Sequence, residues 1–204
     1  MDRKWWDERY KKEEFAYGKA PNLFFKEWLP KFHAAKLLMP ADGEGRNGVF
    51  AAQWGWEVTA FDLSEAARNK ALELAEEKGV TLNYLVGDIE QLEFTRETFD
   101  AVGLIYAHVV PEKKQLLHQK IDAYLKVGGV IILEAFSKNH IPYKQQNPKV
   151  GGPADLAMLY SVEEIKTAFP NYEFLFLAEE EVELNEGTYH IGKGSVIRFV
   201  GRKK

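Results

Sequence analysis

A chain of 204 residues, 46% hydrophobic and 28% charged, has the size and composition of one soluble domain, able to bury about 70% of its unfolded surface. Its formal net charge of −4 argues against non-specific nucleic-acid binding, and the absence of cysteine excludes disulfides and thiolate metal sites. No run approaches a membrane span and the opening residues are polar and aromatic, so the expectation is a cytoplasmic protein, monomer or homodimer, acting on a small molecule.

Strands and helices take turns along the first two thirds. Ala35–Met39 reads as a short apolar strand, Asn47–Trp54 as a helix and Glu57–Phe61 as a second strand. Ser64 caps the next helix, which presents Ala67, Ala71, Leu72, Leu74 and Ala75 on one face and stops at Gly79. Leu82–Val86 and Ala101–Tyr106 follow as strands. Pro111 opens a helix that is expected to run through Leu125 to Gly128-Gly129, before a buried strand Val130–Leu133. Residues 137–155 hold so many Pro, Gly and Asn that they read as a long loop, the core of a lid spanning 137–160. Ser161-Val162-Glu163-Glu164 is a capping box for a short helix, and Tyr172–Leu184 with Ser195–Val200 form a terminal hairpin. This order predicts a single α/β domain: a Rossmann-like, doubly wound, mostly parallel sheet with a C-terminal antiparallel hairpin.

The stretch Leu37-Leu38-Met39-Pro40-Ala41-Asp42-Gly43-Glu44-Gly45-Arg46-Asn47 passes from strand through a glycine turn into a helix. Bare backbone there can approach a ligand, and the helix N-terminus offers unpaired N–H groups. Asp62 closes the second strand, where a carboxylate can grip a ribose diol, so the pair reads as a nucleoside-cofactor site. Arg46 sits in the first helical turn, where the dipole disfavours a cation, and a local anion would account for it.

The residues 42–47, Asp62-Leu63-Ser64, Gly87-Asp88 and the final hairpin together resemble class I S-adenosylmethionine-dependent methyltransferases, in particular the tellurite-resistance and thiopurine methyltransferase-like group. The resemblance covers nearly the whole chain. It implies the class I methyltransferase fold, S-adenosyl-L-methionine as cofactor with S-adenosyl-L-homocysteine as product, and an N-terminal segment (1–30) folded over the cofactor. Cofactor contacts are then expected from Trp6, Tyr10, Tyr17 and Asn22 of that segment, from Ala41, Asp42, Gly43, Gly45, Arg46 and Asn47 of the loop, and from Asp62, Leu63 and Tyr106. Asp88 and Ile89 are implied at the adenine, and Tyr17 is the aromatic expected beside the sulfonium. Two positions depart from the group: Met39 stands where it usually has an acid, and Ala41 where it has glycine, a replacement that requires a negative φ.

His108 follows the strand Ala101–Tyr106 at the carboxyl edge of the sheet, and His190 in the hairpin matches the group's C-terminal histidine, with Ile191 in place of the arginine that often follows. These two are the candidate catalytic residues. The expected reaction is in-line displacement at the cofactor methyl by a small soft nucleophile, a thiol or chalcogen species, for which an obligatory base is dispensable. A nicotinamide-dependent oxidoreductase and a cofactor-binding protein without catalysis stay open as alternatives.

Overall fold

Alternation along the central strands decides how the protein is layered. In the computed structural model, which describes residues 2–204, Leu37 and Met39 of β1 (Lys36–Pro40) face one apolar layer and Leu38 the other. β5 (Leu125–Phe136) divides its residues the same way, with Val130 and Ile132 on the first face and Ile131 and Leu133 on the second. A strand buried on both faces needs helices above and below it.

Seven strands supply the sheet. β1 pairs in parallel with β2 (Glu57–Asp62) on one side and β4 (Phe99–Ile105) on the other; β3 (Asn83–Val86) extends β2, and β5 extends β4. The hairpin β6 (Tyr172–Glu186) and β7 (His190–Lys203) closes the row, β7 running antiparallel to β5, for an order β3-β2-β1-β4-β5-β7-β6. Ahead of the sheet, α1 (Arg3–Tyr10) and α2 (Leu23–Trp28) form the N-terminal segment. α2, α3 (Arg46–Gln53) and α4 (Glu65–Glu77) supply Phe25, Phe50 and Ala71 to one face, while α5 (Pro111–Tyr124) and α7 (Val162–Ala168) supply Ile121 and Ile165 to the other. Strand order reverses between β1 and β4, which opens a crevice at their carboxyl ends.

Several expectations change in detail. The helix begun at Pro111 stops at Tyr124, because Leu125 is extended and pairs with Phe99; the strand expected at Val130 therefore starts five residues earlier. Leu72 lies on the outer side of α4 and is exposed. The segment 137–155 is not one long loop. It holds 3-10 turns at Lys138–His140 and Pro148–Val150 and a helix, α6 (Ile141–Gln146), in which Pro142 occupies the first turn, where the missing N–H costs nothing.

Both departures at the end of β1 take a form the sequence did not suggest. Met39 is buried in the apolar layer, packed over Gly103 of β4 and Phe25, and does not reach the crevice. Ala41 adopts φ 53°, against the expectation of a negative angle, so the alanine carries the left-handed strain that a glycine would avoid.

Two stability measurements follow. Gly103→Ala drives a methyl into Met39 and Phe25 and is expected to cost about 1–3 kcal/mol in urea denaturation; combined with Met39→Ala it should cost clearly less than the sum, and strict additivity would refute the packing account. Ala41→Gly releases strain worth about 1–2 kcal/mol against a smaller unfolded-state penalty, and should raise the melting midpoint by roughly 2–4 °C. A lowered midpoint would show that position 41 is held by contacts of its methyl instead.

Candidate functional site

The crevice is a cavity of about 490 Å³ whose wall is drawn from the glycine loop, the ends of β2 and β4, α1, the 137–155 segment and the hairpin. The loop reaches it because residues 43 and 45 hold φ 58° and 82°. At Gly45 any Cβ would strike Ala71, so this glycine lets α3 and α4 approach and lies behind the wall. Gly43 forms part of the wall; its N–H donates to Asp62 Oδ2 at 3.2 Å, and its carbonyl accepts from the Tyr84 hydroxyl at 2.5 Å.

Asp62, at the end of β2, also accepts the Ser64 N–H through Oδ1 at 2.9 Å. Burial outweighs these backbone bonds and pushes its carboxyl up to about 6. Asp42 is more unusual. Its Oδ2 accepts from Gly48 N at 3.2 Å, while Oδ1 is buried with no partner, and burial holds this carboxyl well above the carboxylate range. A bare acceptor in a cavity wall calls for a donor from a ligand.

Four elements meet on a buried polar cluster at the other end. Glu134, near the end of β5, accepts from Arg198 Nε and Asn22 Nδ2 at 2.6 Å each and from the Tyr106 hydroxyl at 2.7 Å. Glu186, at the hairpin turn, meets Arg46 at 3.0 Å and His190 Nδ1 at 2.9 Å, with Asn22 Nδ2 at 3.2 Å. Burial would raise the Glu186 carboxyl, but Arg46 and His190 together pull it down to about 2. Arg46 thus has its anion, and that anion is the protein's own.

His190 stands among Tyr17, Tyr106 and Phe136, with ring centroids at 4.5, 4.6 and 5.2 Å. Burial lowers its pKa despite Glu186, so the ring is neutral, the carboxylate fixes the proton on Nδ1, and Nε2 is left as an acceptor. His108 differs. Its Nε2 accepts from Phe136 N at 3.1 Å, its Nδ1 reaches the Met158 carbonyl at 3.0 Å, and burial takes its pKa down to about 4. Both nitrogens are engaged with backbone, which corrects its candidacy as a base and leaves it a wall residue.

Of the residues expected from sequence, the cavity wall gathers Trp6, Tyr10, Tyr17, Ala41, Asp42, Gly43, Arg46, Asn47, Asp62, Leu63, Asp88, Ile89, Tyr106, His108 and His190. Asn22 is drawn back into the polar cluster, and its backbone N–H donates to Asn47 Oδ1 at 2.9 Å. Asp88 is tied to Lys113 at 2.8 Å. Sequence reasoning missed Glu134, a lone charge inside the apolar run of β5, and Glu186, one helical turn's spacing before His190; both were visible as anomalies. Arg9 and Lys144 carried no comparable signal.

Residues 38–129 match the family model described as a methyltransferase domain. An uncharacterized methyltransferase of Bacillus subtilis, YbaJ, is 32% identical over 108 residues, covering 52% of this chain and 42% of its own. The probable S-adenosyl-L-methionine-dependent methyltransferase TehB of Haemophilus influenzae is 22% identical over 185 residues, covering 83% of this chain and 61% of its own. The chain therefore spans only about half the length of these curated relatives. Among solved structures, TehB from H. influenzae superposes over 99% of this chain and 67% of its own with a TM-score of 0.71 at 17% identity. A structure from work on the conversion of a disulfide bond into a thioacetal group during echinomycin biosynthesis covers 99% and 92% with a TM-score of 0.78, also at 17% identity. Over residues 38–129 the chain is thus similar to a methyltransferase domain, and over nearly its whole length it shares the fold of TehB.

Proposed function

We propose that the protein transfers the methyl group of S-adenosyl-L-methionine to a small soft nucleophile, a thiol or chalcogen species. The observation that carries this reading is the pairing of a buried carboxylate at the end of β2 with a glycine loop at the end of β1, in one cavity at the sheet's switch point. The cofactor would supply a methyl already activated on a sulfonium. Asp62 would hold the ribose diol, Leu63 and Ile89 would flank the adenine with Asp88 at its edge, and the orphaned Asp42 Oδ1 would accept from the ammonium of the methionine end.

The remaining work is alignment. α1 is fastened by Asp7, which accepts from Ser64 Oγ at 2.6 Å, and this fixes Trp6 and Tyr10 over the cavity. Tyr17, held by Arg9 at 2.8 Å, gives the sulfonium an aromatic face worth about 0.5–2 kcal/mol. Holding donor and nucleophile in line while excluding water can supply about 7–11 kcal/mol. His190 Nε2 receives the hydrogen bond of the incoming nucleophile and orients it. A sulfur acceptor agrees with the thioacetal chemistry named for the structural relative and with the sequence resemblance to the tellurite-resistance and thiopurine methyltransferase-like group. The family match disfavours a nicotinamide reaction, and nothing in the site favours loss of catalysis.

A calorimetric and thermal-shift titration tests the cofactor. S-adenosyl-L-homocysteine at a hundredfold excess over its dissociation constant should add about 2.7 kcal/mol and raise the melting midpoint by several degrees, with NAD inert; a shift with NAD alone would sink the reading. The diol contact makes a sharper claim. Ionised Asp62 accepts both hydroxyls and protonated Asp62 loses one acceptor, so affinity should be constant well above pH 6 and weaken as the pH falls through about 6. Asp62→Asn should lower affinity at least about tenfold and abolish this pH dependence. An unchanged affinity would reduce Asp62 to a turn residue.

A further inference from the structure

Among the described residues three cations line the cavity, Arg9, Arg46 and Lys144, and one of them is matched by a carboxylate. Arg46 lies against Glu186 at 3.0 Å. Arg9, on α1, has no carboxylate within 4 Å among the described residues; its guanidinium donates to the Tyr17 hydroxyl and lies 4.0 Å over the Tyr189 ring. Lys144, on α6, likewise has no carboxylate within that distance, and its ammonium donates to the carbonyls of Gly151 and Gly152, the first at 3.2 Å. Both side chains are half-buried and both line the cavity. Burial, and after it the charge of Arg9 on the same cavity wall, depresses the Lys144 ammonium below its ordinary range. Two partly desolvated like charges without a counterion are costly, and an anion between them relieves both the repulsion and the desolvation.

Their position says which ligand brings it. Arg9 rests on Tyr189 and Lys144 is tied to Gly151, and these are the residues that flank His190: one is its chain neighbour, and a Cβ on the other would meet the imidazole. The cations therefore border the acceptor end, beside the hydrogen-bond acceptor Nε2. The cofactor cannot neutralise them alone, since its carboxylate is outweighed by its ammonium and sulfonium, and its arrival adds positive charge.

Resting on the methyl-transfer reading, we infer that the acceptor is itself anionic, a small thiol bearing a carboxylate, whose carboxylate is clamped between Arg9 and Lys144 while its sulfur lies against His190. The clamp admits a monoanion and orients it. Arg9 offers a planar fork suited to a carboxylate, and Lys144 a point charge on the segment that covers the cavity.

Binding of 3-mercaptopropionate and of neutral 2-mercaptoethanol to the protein saturated with S-adenosyl-L-homocysteine, by calorimetry, tests this. The acid should bind at least about tenfold more tightly; Arg9→Gln or Lys144→Met should each remove the preference, and Lys144→Met should do so without weakening the neutral thiol. Equal binding of the two thiols to the wild type, or a preference that survives both substitutions, overturns the inference. The other source of a carboxylate is the cofactor. If the substitutions instead weaken S-adenosyl-L-homocysteine about tenfold while leaving 5′-methylthioadenosine, which lacks the amino-acid end, unaffected, the cations serve the cofactor and the inference fails. Should S-adenosyl-L-homocysteine not bind the wild type at all, the methyl-transfer reading falls separately, and the contrast between the two thiols on the free protein still decides whether the two cations select an anion.

Discussion

The arrangement of this cavity depends on one buried ion-pair cluster. Glu186 holds Arg46 and His190, Glu134 holds Arg198 and Tyr106, and Asn22 donates to both carboxylates. Through these contacts the start of α2, the first turn of α3, the end of β5 and the terminal hairpin share one set of charges. Removing Arg46 or Glu186 alone would strand a buried charge, at a cost of several kcal/mol, so the cluster specifies how these elements sit more than it adds net stability. The hairpin is thereby coupled to the glycine loop, although β1 and β7 are not neighbours in the sheet. A second tie works from the opposite side: Glu44 of the loop accepts Ala16 N at 2.7 Å and pairs with Lys70, which fastens the N-terminal segment to the same loop.

Strain collects where the strands deliver residues to the cavity. Ala41 after β1 and Tyr106 after β4 both have φ 53°, and both line the wall. Tyr106 tolerates this because its N–H donates to Glu134 O at 2.7 Å and its hydroxyl to the same residue's side chain. Two positive-φ residues at the sheet's switch point turn the chain sharply, so that β1 and β4 end at the cavity instead of running past it. Such conformations cost on the order of 1–3 kcal/mol each and persist where surrounding contacts over-determine them.

What could be read from the sequence was what local chemistry encodes. Ser64, Gly79 and the Ser161–Glu164 capping box act over three or four residues, and each does in the structure what its type suggests. The glycine turn and the carboxylate that ends β2 likewise form where the sequence puts them, and Gly43 and Asp62 both reach the cavity wall. Leu125 was misread because an apolar residue suits a helix face and a strand equally, and only its pairing with Phe99 decides. Pro142 reads as a breaker in sequence but starts a helix, since nothing nearby in sequence shows which side of it the turn will form. The acids of the polar cluster were least legible. Asn22 reaches Glu134 across 112 residues and Arg46 reaches Glu186 across 140, and no periodicity carries information over such separations.

The same cluster sets how strong a base His190 can be. A histidine bonded to a carboxylate through Nδ1 usually gains basicity, because the anion stabilises the imidazolium. Here Arg46 lies 3.0 Å from the Glu186 oxygen that receives His190, so the carboxylate's charge is largely committed before the imidazole draws on it. Burial then prevails, and the His190 pKa falls below its ordinary value. A site arranged this way fixes the imidazole's orientation and tautomer while withholding the driving force for proton abstraction. Such a histidine suits a nucleophile that loses its proton readily, and it would serve an alcohol or an amine poorly. Burial of His190, with Arg46 competing for the Glu186 charge, thus supports the proposed soft acceptor on grounds separate from resemblance.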